Sequence, residues 1–591
     1  MTNGPGLVGT LSPLEQALID HVNRGEELDL DRDVAIDEAV MRAWDDSRAI
    51  RAEVVRDIVR GRGSCDPDPH GIRLRGARIV GRVDLQNLTS SVPLSLRECF
   101  LAGGLDARNA TLESLSLTGC LIEHASQPPL DGAGMTAAGL SLTTSIVLGE
   151  GDGGAVNLWY ARLGALVCSG ATVRNTSGPA LSAEGLQVER SVVLQDGFEA
   201  VGSGQFGAVR LTMAHIGELW CDGATVRNDT GPAVFADGME VSRYAALRNG
   251  FTAIGKGEFG AVKIPICHFG TLDLQDAVIQ NEVGPALNAN STHVEQIASL
   301  YGFEAAGSAQ AGAILLNGAH LGKLNCAGAT VRNDIGPAVE ARGLHVDRDV
   351  LFTGGFEAVS DGNGVTINLS NARINGQLVY EPTHIEHRTD SRSRLNLEGL
   401  TYSALPGGIP WQDWLVLIQQ GTPMYAAQPY QQLAAGLRAA GHDGEVRRVL
   451  MAQRRDQILR RALTGRAERT WARLTGFFLG YGYQPWRALV ALAAVMIISV
   501  LVSVTAGAHG GLTRTDLDGQ GASGCSVVEQ VGFGLDIGLP LIKTGAGSRC
   551  GVTDQAIGES LTIASWGLQA SAWAFATLFI AGFTGAVRKQ P

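Results

Sequence analysis

Arg227-Asn228-Asp229-Thr230-Gly231-Pro232-Ala233 decides the fold, because its landmarks return about every 53 residues. Gly-Pro-Ala recurs as Gly178-Pro179-Ala180, Gly284-Pro285-Ala286 and Gly336-Pro337-Ala338. The pair before it recurs as Arg174-Asn175, Gln280-Asn281 and Arg332-Asn333. Two further markers keep the same phase. One is Gly197-Phe198, Gly250-Phe251, Gly302-Phe303 and Gly355-Phe356; the other is Gly207-Ala208-Val209, Gly260-Ala261-Val262 and Gly312-Ala313-Ile314. Four markers in one register define an array in which each unit stacks on the next.

The period before the array points the same way. From Gly76-Ala77-Arg78-Ile79 onward, short alternating pairs follow one another: Val83-x-Leu85, Leu94-x-Leu96, Leu105-x-Ala107 and Leu115-x-Leu117. Each is too short for a helix, and alternation buries one face of a strand. Even spacing, glycine-rich turns and no long crossovers predict a mainly β chain. It is a parallel β-helix, right-handed by the crossover rule, with coils of roughly 20 residues ~4.8 Å apart. Each 53-residue repeat then holds two or three coils. The array occupies 70–405, with Leu395-x-Leu397-x-Gly399-Leu400 as a last rung.

Residues 1–69 read as a helical N-terminal cap over the exposed rung edge. Ser12-Pro13-x-Glu15 is a helix start. Leu14, Leu18, Ile19 and Val22 then keep helical spacing, and a second helical pattern runs from Val34 to Val59 through Ala39, Val40, Trp44, Ile50, Val54 and Ile58.

The 591 residues carry a net charge of -12, which argues against nucleic acid as a partner, since phosphate binding needs clustered Lys and Arg. The nine cysteines include no Cys-x-x-Cys pair, so no zinc ribbon is expected. Met1 to Gln16 lacks a basic segment followed by an apolar run, so no signal peptide is expected.

Residues 406–486 read as helical and Arg-rich, with eleven Arg against four acids from Arg438 to Arg487. Residues 487–591 read as a two-span membrane anchor. The spans are 488–506 and 566–587, the second lying in an uncharged stretch from Leu561 to Val587; each can cross a ~30 Å hydrocarbon layer. Trp486 and Trp566 are placed at the interfaces. Two buried core helices are the alternative. The Arg-rich flank and Arg588-Lys589 predict cytoplasmic N- and C-termini at the plasma membrane, with the connection 507–565, carrying Asp516, Asp518 and Asp554, outside. Cys525 and Cys550 are the two cysteines of that connection, and an oxidising exterior would permit a disulfide between them. Ala570 and Ala574, Ala572 and Ala576, and Gly582 and Ala586 stand four apart; they either bring helices close together or fill an apolar helix. Val527 to Ile542, apolar except for Glu529, Gln530 and Asp536, reads as an interfacial segment, with a re-entrant piece as the alternative.

Three stretches carry a family resemblance: Gly76-Ala77-Arg78-Ile79-x-Gly81-x-Val83-Asp84-Leu85, Tyr430-x-x-Leu433-Ala434-x-x-Leu437-Arg438-x-x-Gly441-His442, and Leu535-Asp536-x-x-Leu539-Pro540. They resemble a group of actinobacterial proteins labelled "membrane-associated oxidoreductase", and the rungs resemble pentapeptide-repeat-like β-helices. The resemblance covers nearly the whole chain. It implies a β-helix on two C-terminal spans and a redox activity, and it supplies no catalytic residues to carry over.

That label prompts a search for a dinucleotide site. Gly149-x-Gly151-x-x-Gly154, Gly202-x-Gly204-x-x-Gly207 and Gly255-x-Gly257-x-x-Gly260 fit the glycine pattern. Each precedes a strand-like segment rather than a helix, so these glycines read as coil turns and no cofactor is assigned. His215, His268 and His320 share one repeat phase. On the coil spacing they lie roughly 10–14 Å apart, too far to share an ion, and read as a surface ladder with Arg162 and Arg373. Cys168, Cys221 and Cys326, with Leu274 in the same phase, read as small core residues. His384, Glu386, His387 and Asp390 read as a solvated loop. No metal site and no catalytic residue is assigned.

The reading that results is a membrane-tethered, non-catalytic binding or scaffold protein. It would self-associate or hold a protein partner through the β-helix or the membrane helices. The alternatives are the oxidoreductase implied by the resemblance and a channel or signalling pore gated by the β-helix.

Overall fold

The computed structural model describes residues 11–32, 36–62, 65–362, 364–390, 393–460, 465–515, 524–539, 541–554 and 556–584. Val34, Asp516, Asp518, Pro540, Ala586, Val587, Arg588 and Lys589, named above, lie outside the described residues. The chain forms two compact units, Met1–Gly436 and Leu437–Pro591.

The first unit is a parallel β-solenoid of about 13 turns. Three sheets run its length: sheet A with 22 strands, sheet B with 14 and sheet C with 13. In sheet C, Leu181 pairs with Val209 and Val209 with Val234, steps of 28 and 25 residues. The repeat is therefore two turns, and the turns are longer than the roughly 20 residues expected.

Each marker has a physical cause. Asn228 is buried, and its Nδ2 donates to the carbonyl of Gly204 (2.9 Å) one turn back and to Pro232 (2.8 Å). Asn175, Asn281 and Asn333 make the matching pairs of bonds. The Asn and Gly-Pro-Ala markers are thus one device that ties a turn to its predecessor. The Gly is required by close approach: a Cβ on Gly231 would stand 2.2 Å from Gly204 O. Phe198, Phe251, Phe303 and Phe356 fill the interior on every second turn, while Ala171, Ala224, Ala277 and Ala329 occupy the turns between, all buried. A ring needs more than the ~4.8 Å between turns. Alternating large and small residues meets that demand and doubles the repeat.

Helix α1 (Pro13–Arg24) starts with the expected capping box at Ser12 and Glu15. The buried Glu15 carboxylate bridges to Arg51 Nη2 (2.7 Å). The second helical pattern is corrected. It breaks into α2 (Glu38–Arg42), a short 3-10 turn, a strand at Ala49–Arg51 and α3 (Ala52–Val59). Ala49–Arg51 pairs with Arg78–Val80 and opens sheet B; Leu28–Asp29 pairs with Leu74 and Arg75 in sheet A. The cap closes the rung edge with backbone hydrogen bonds, which a helix cannot supply to a strand. At the other end, Leu395–Asn396 is the last strand of sheet C. Helices α4 (Trp411–Gln420) and α5 (Gln428–Ala439) follow. The division between units falls inside α5, between the borders at 405 and 486 expected from sequence.

The second unit holds α6 (Asp443–Leu459), α7 (Arg466–Leu479), α8 (Trp486–Ala508), α9 (Val527–Gly538) and α10 (Ala556–Phe583), with a small antiparallel pair, Leu512–Arg514 and Cys550–Val552. α8 and α10 are long and apolar enough to cross a membrane, and they pack on each other. α10 starts about ten residues before the expected span. Glu559 ends the uncharged stretch, but a carboxylate in a first turn favours a helix rather than stopping it. Trp566 consequently lies well inside α10 and not at its end. Of the four-apart small residues, Ala572 and Gly582 are buried while Ala570 and Ala574 face outward.

Candidate functional site

The outward face of sheet A carries the densest chemistry. One column of it, a residue per turn, reads Arg162, Gln187, His215, Glu240, His268, His293, His320, His345, Arg373. His215, His268 and His320 are two turns apart, as the distance argument requires. His293 and His345, which sequence reading did not align, fill the turns between. The result is four consecutive histidines with ring centroids 4.7, 4.8 and 4.6 Å apart. Their spacing of 25, 27 and 25 residues follows the turn lengths, a signal that a column aligned on single turns would have found.

Carboxylates from the following turns reach back to this column. Glu295 Oε1 lies 3.1 Å from His268 Nε2, and Asp347 Oδ1 lies 3.0 Å from His320 Nε2 and 3.2 Å from His345 Nε2. His320 beside Asp347 holds that carboxyl below its usual range. Burial, followed by the like charges of His268 and His320, pushes His293 down, so it stays neutral near pH 7. His215 has only Glu240, at 3.6 Å.

A second cluster sits on the same sheet. Tyr244 Oη donates to Asp273, Arg248 bonds both of them and Asp222, and the Trp220 ring lies tilted against Tyr244 at 5.2 Å. Burial pushes the Tyr244 hydroxyl up to about 12, so it remains a donor. The groups satisfy one another, an arrangement that stiffens the face.

On sheet C, Arg210 bridges to Glu184 (2.5 Å) and lies over Phe206 (5.0 Å), while Lys263 bridges to Asp237 (2.7 Å) and lies over Phe235 (4.1 Å). Trp159, Phe206 and Phe259 remain exposed beside these cations.

The other residues singled out from sequence fall as follows. Gly202-x-Gly204-x-x-Gly207 joins strand Glu199–Gly202 to strand Val209–Arg210, and Gly255-x-Gly257-x-x-Gly260 joins Thr252–Gly255 to Val262–Lys263. No helix N-terminus follows either one to hold a pyrophosphate. Cys168, Cys221 and Cys326 are buried, and burial raises all three thiols, the first and last to about 12. The solvated-loop reading of His384, Glu386 and His387 is corrected. His384–His387 is the last strand of sheet B, paired with Glu357–Ser360. His387 is buried, its Nδ1 accepting from Asp390 N (3.1 Å). Pairing to the preceding turn converts a polar stretch with no alternation into a strand.

In the second unit, Cys525 and Cys550 form a disulfide with Cα atoms 6.2 Å apart. α9 lies lengthwise against α8. Gln530 meets Gly507, Ser499 Oγ donates to Gly534 O (2.8 Å), and Gly538 meets Met496. Glycine at 534 and 538 permits this contact, since a Cβ on Gly534 would stand 2.6 Å from Val500 Cα.

No family model, curated protein or solved structure matches this chain.

Proposed function

We propose that this chain is a membrane-held scaffold that presents a long, regular solenoid surface to a ligand or protein partner. The observation that carries the reading is the outer surface of α8 and α10. Leu489, Val490, Ile497, Ile498, Leu501, Ile563, Trp573 and Ile580 are exposed. Helices of 23 and 28 residues are longer than a ~30 Å hydrocarbon layer requires. The Arg-rich flank before α8 supports cytoplasmic N- and C-termini at the plasma membrane. Ion pairs across sheets A and C, such as Arg243–Glu218, Arg210–Glu184 and Lys263–Asp237, support a surface that holds rather than transforms, joining a protein partner or a second copy of the chain.

Full-length protein should sediment with membranes, resist extraction by alkaline carbonate and dissolve in detergent. Release by carbonate alone would overturn the membrane reading. A chain purified with stoichiometric flavin or nicotinamide would favour the oxidoreductase implied by the resemblance. A pore is the second reading, favoured by α9 lying along α8 from Gly507 to Met496, as a re-entrant segment would. Conductance in planar bilayers carries that reading, and silence of folded protein sinks it.

A further inference from the structure

We infer that His320, His345 and Asp347 form a binding site for one divalent transition-metal ion of the zinc type, clamped between adjacent turns of the solenoid. His320 and His345 are in register on neighbouring strands of sheet A. Asp347 follows His345 by two residues and so leaves its turn on the same side. Gly322 holds the equivalent position one turn back. It carries no side chain to block Asp347, and it can carry none, because a Cβ there would stand 2.2 Å from Glu295 O. The carboxylate therefore reaches both imidazoles, at 3.0 and 3.2 Å.

These distances suit coordination. With metal–nitrogen and metal–oxygen bonds of ~2.0–2.2 Å, ligand atoms sharing a tetrahedral ion stand about 3.3–3.5 Å apart. Both imidazole–carboxylate pairs are already near that spacing, and the three ligand atoms lie within 4.8 Å of one another. Rotation of two half-exposed imidazoles closes the remainder without moving the backbone. Two imidazoles and a carboxylate select zinc, copper, nickel or cobalt over calcium and magnesium. Asn375 Nδ2 stands 3.3 Å from His345 Nε2, so its side-chain amide can turn its oxygen to the ion or yield to water. Arg373 follows His345 in the column. Edge-on to His320 lies the His293 ring, at 4.8 Å. His215, with a single carboxylate at 3.6 Å, lacks this geometry and serves as an internal control.

The test uses the untagged full-length chain in detergent, stripped with a chelator. It is titrated with Co²⁺ by visible absorbance and with Zn²⁺ by calorimetry. One ion per chain is expected. Asp347→Asn and His320→Ala should each weaken binding at least about tenfold, while His215→Ala leaves it unchanged. All three side chains are on the surface, so unchanged far-UV circular dichroism confirms that the variants fold. Absence of saturable binding, or binding indifferent to both substitutions, overturns the assignment.

Discussion

Asn228→Ala removes a single side chain that ties two turns of the solenoid together. In the native protein Nδ2 donates to Gly204 O and Pro232 O, and Oδ1 accepts from Thr230 N (3.0 Å) and Gly231 N (3.0 Å). Gly204 is half-exposed, so water can replace the bond there. Pro232 O keeps the amide of Ala208. Gly231 N is buried and is left without a partner, the costly loss, at about 1–3 kcal/mol. With the lost bonds and the space vacated, the total is about 2–4 kcal/mol. Because a stacked array opens locally, the effect belongs to the turns around 203–233 rather than to the whole chain. At a factor of ten per 1.4 kcal/mol, amide exchange there should accelerate roughly 30- to 700-fold. Hydrogen exchange read by mass spectrometry measures it peptide by peptide. Asn228→Asp keeps the accepting oxygen but sets a carboxylate against two carbonyls. It should exchange faster still at neutral pH and recover as the pH falls and the buried carboxyl takes up a proton. Exchange within threefold of wild type in Asn228→Ala would refute the tie, and with it the physical account of the Asn and Gly-Pro-Ala markers.

Three further outcomes are expected. Gly231→Ala drives a Cβ to 2.2 Å from Gly204 O; it should cost about 1–3 kcal/mol, seen as faster exchange in the same peptides. Arg51 beside Glu15 holds that carboxyl down at about 2. The lowered folded value means its stabilisation is full above the ordinary carboxylate range and fades as the pH falls toward 2. Glu15→Gln should therefore loosen α1 by about 3 kcal/mol at pH 7, a gap that narrows on acidification in exchange or limited proteolysis of Pro13–Arg24. Cys550→Ser opens the loop closed by the Cys525 disulfide; it should lower stability of the second unit by about 3 kcal/mol, with non-reducing peptide mapping showing the link in wild type alone.

Much of the solenoid was legible because its markers answer to the backbone. Replacing buried Asn228 or close-packed Gly231 costs a backbone hydrogen bond or a close approach, which is why these residues recur and can be seen. The number of turns per repeat was not legible, because its two turns share no marker: Asn228 and Gly231-Pro232-Ala233 stand on the Ala224 turn, Gly207-Ala208-Val209 on the Phe198 turn, and nothing in the sequence aligns one with the other. That gap hid His293 and His345, and with them the pairing of Asp347 to two imidazoles. The strand at Ala49–Arg51 was hidden for another reason: three residues are too few to show a period of two, and it exists because Arg78–Val80 needs a partner. His384–His387 was hidden likewise, its strand being imposed by Glu357–Ser360.

By itself, then, the sequence determined the stacked parallel architecture, the capped first helix and two helices apolar enough to cross a membrane, since each follows from local demands on backbone and burial. Only the tertiary structure decided which side chains meet across turns. Those meetings depend on turn lengths alternating between 25 and 28 residues, with the register shifts of sheet A at Val188/Ser191 and Val241/Tyr244, and no local rule carries that information along the chain.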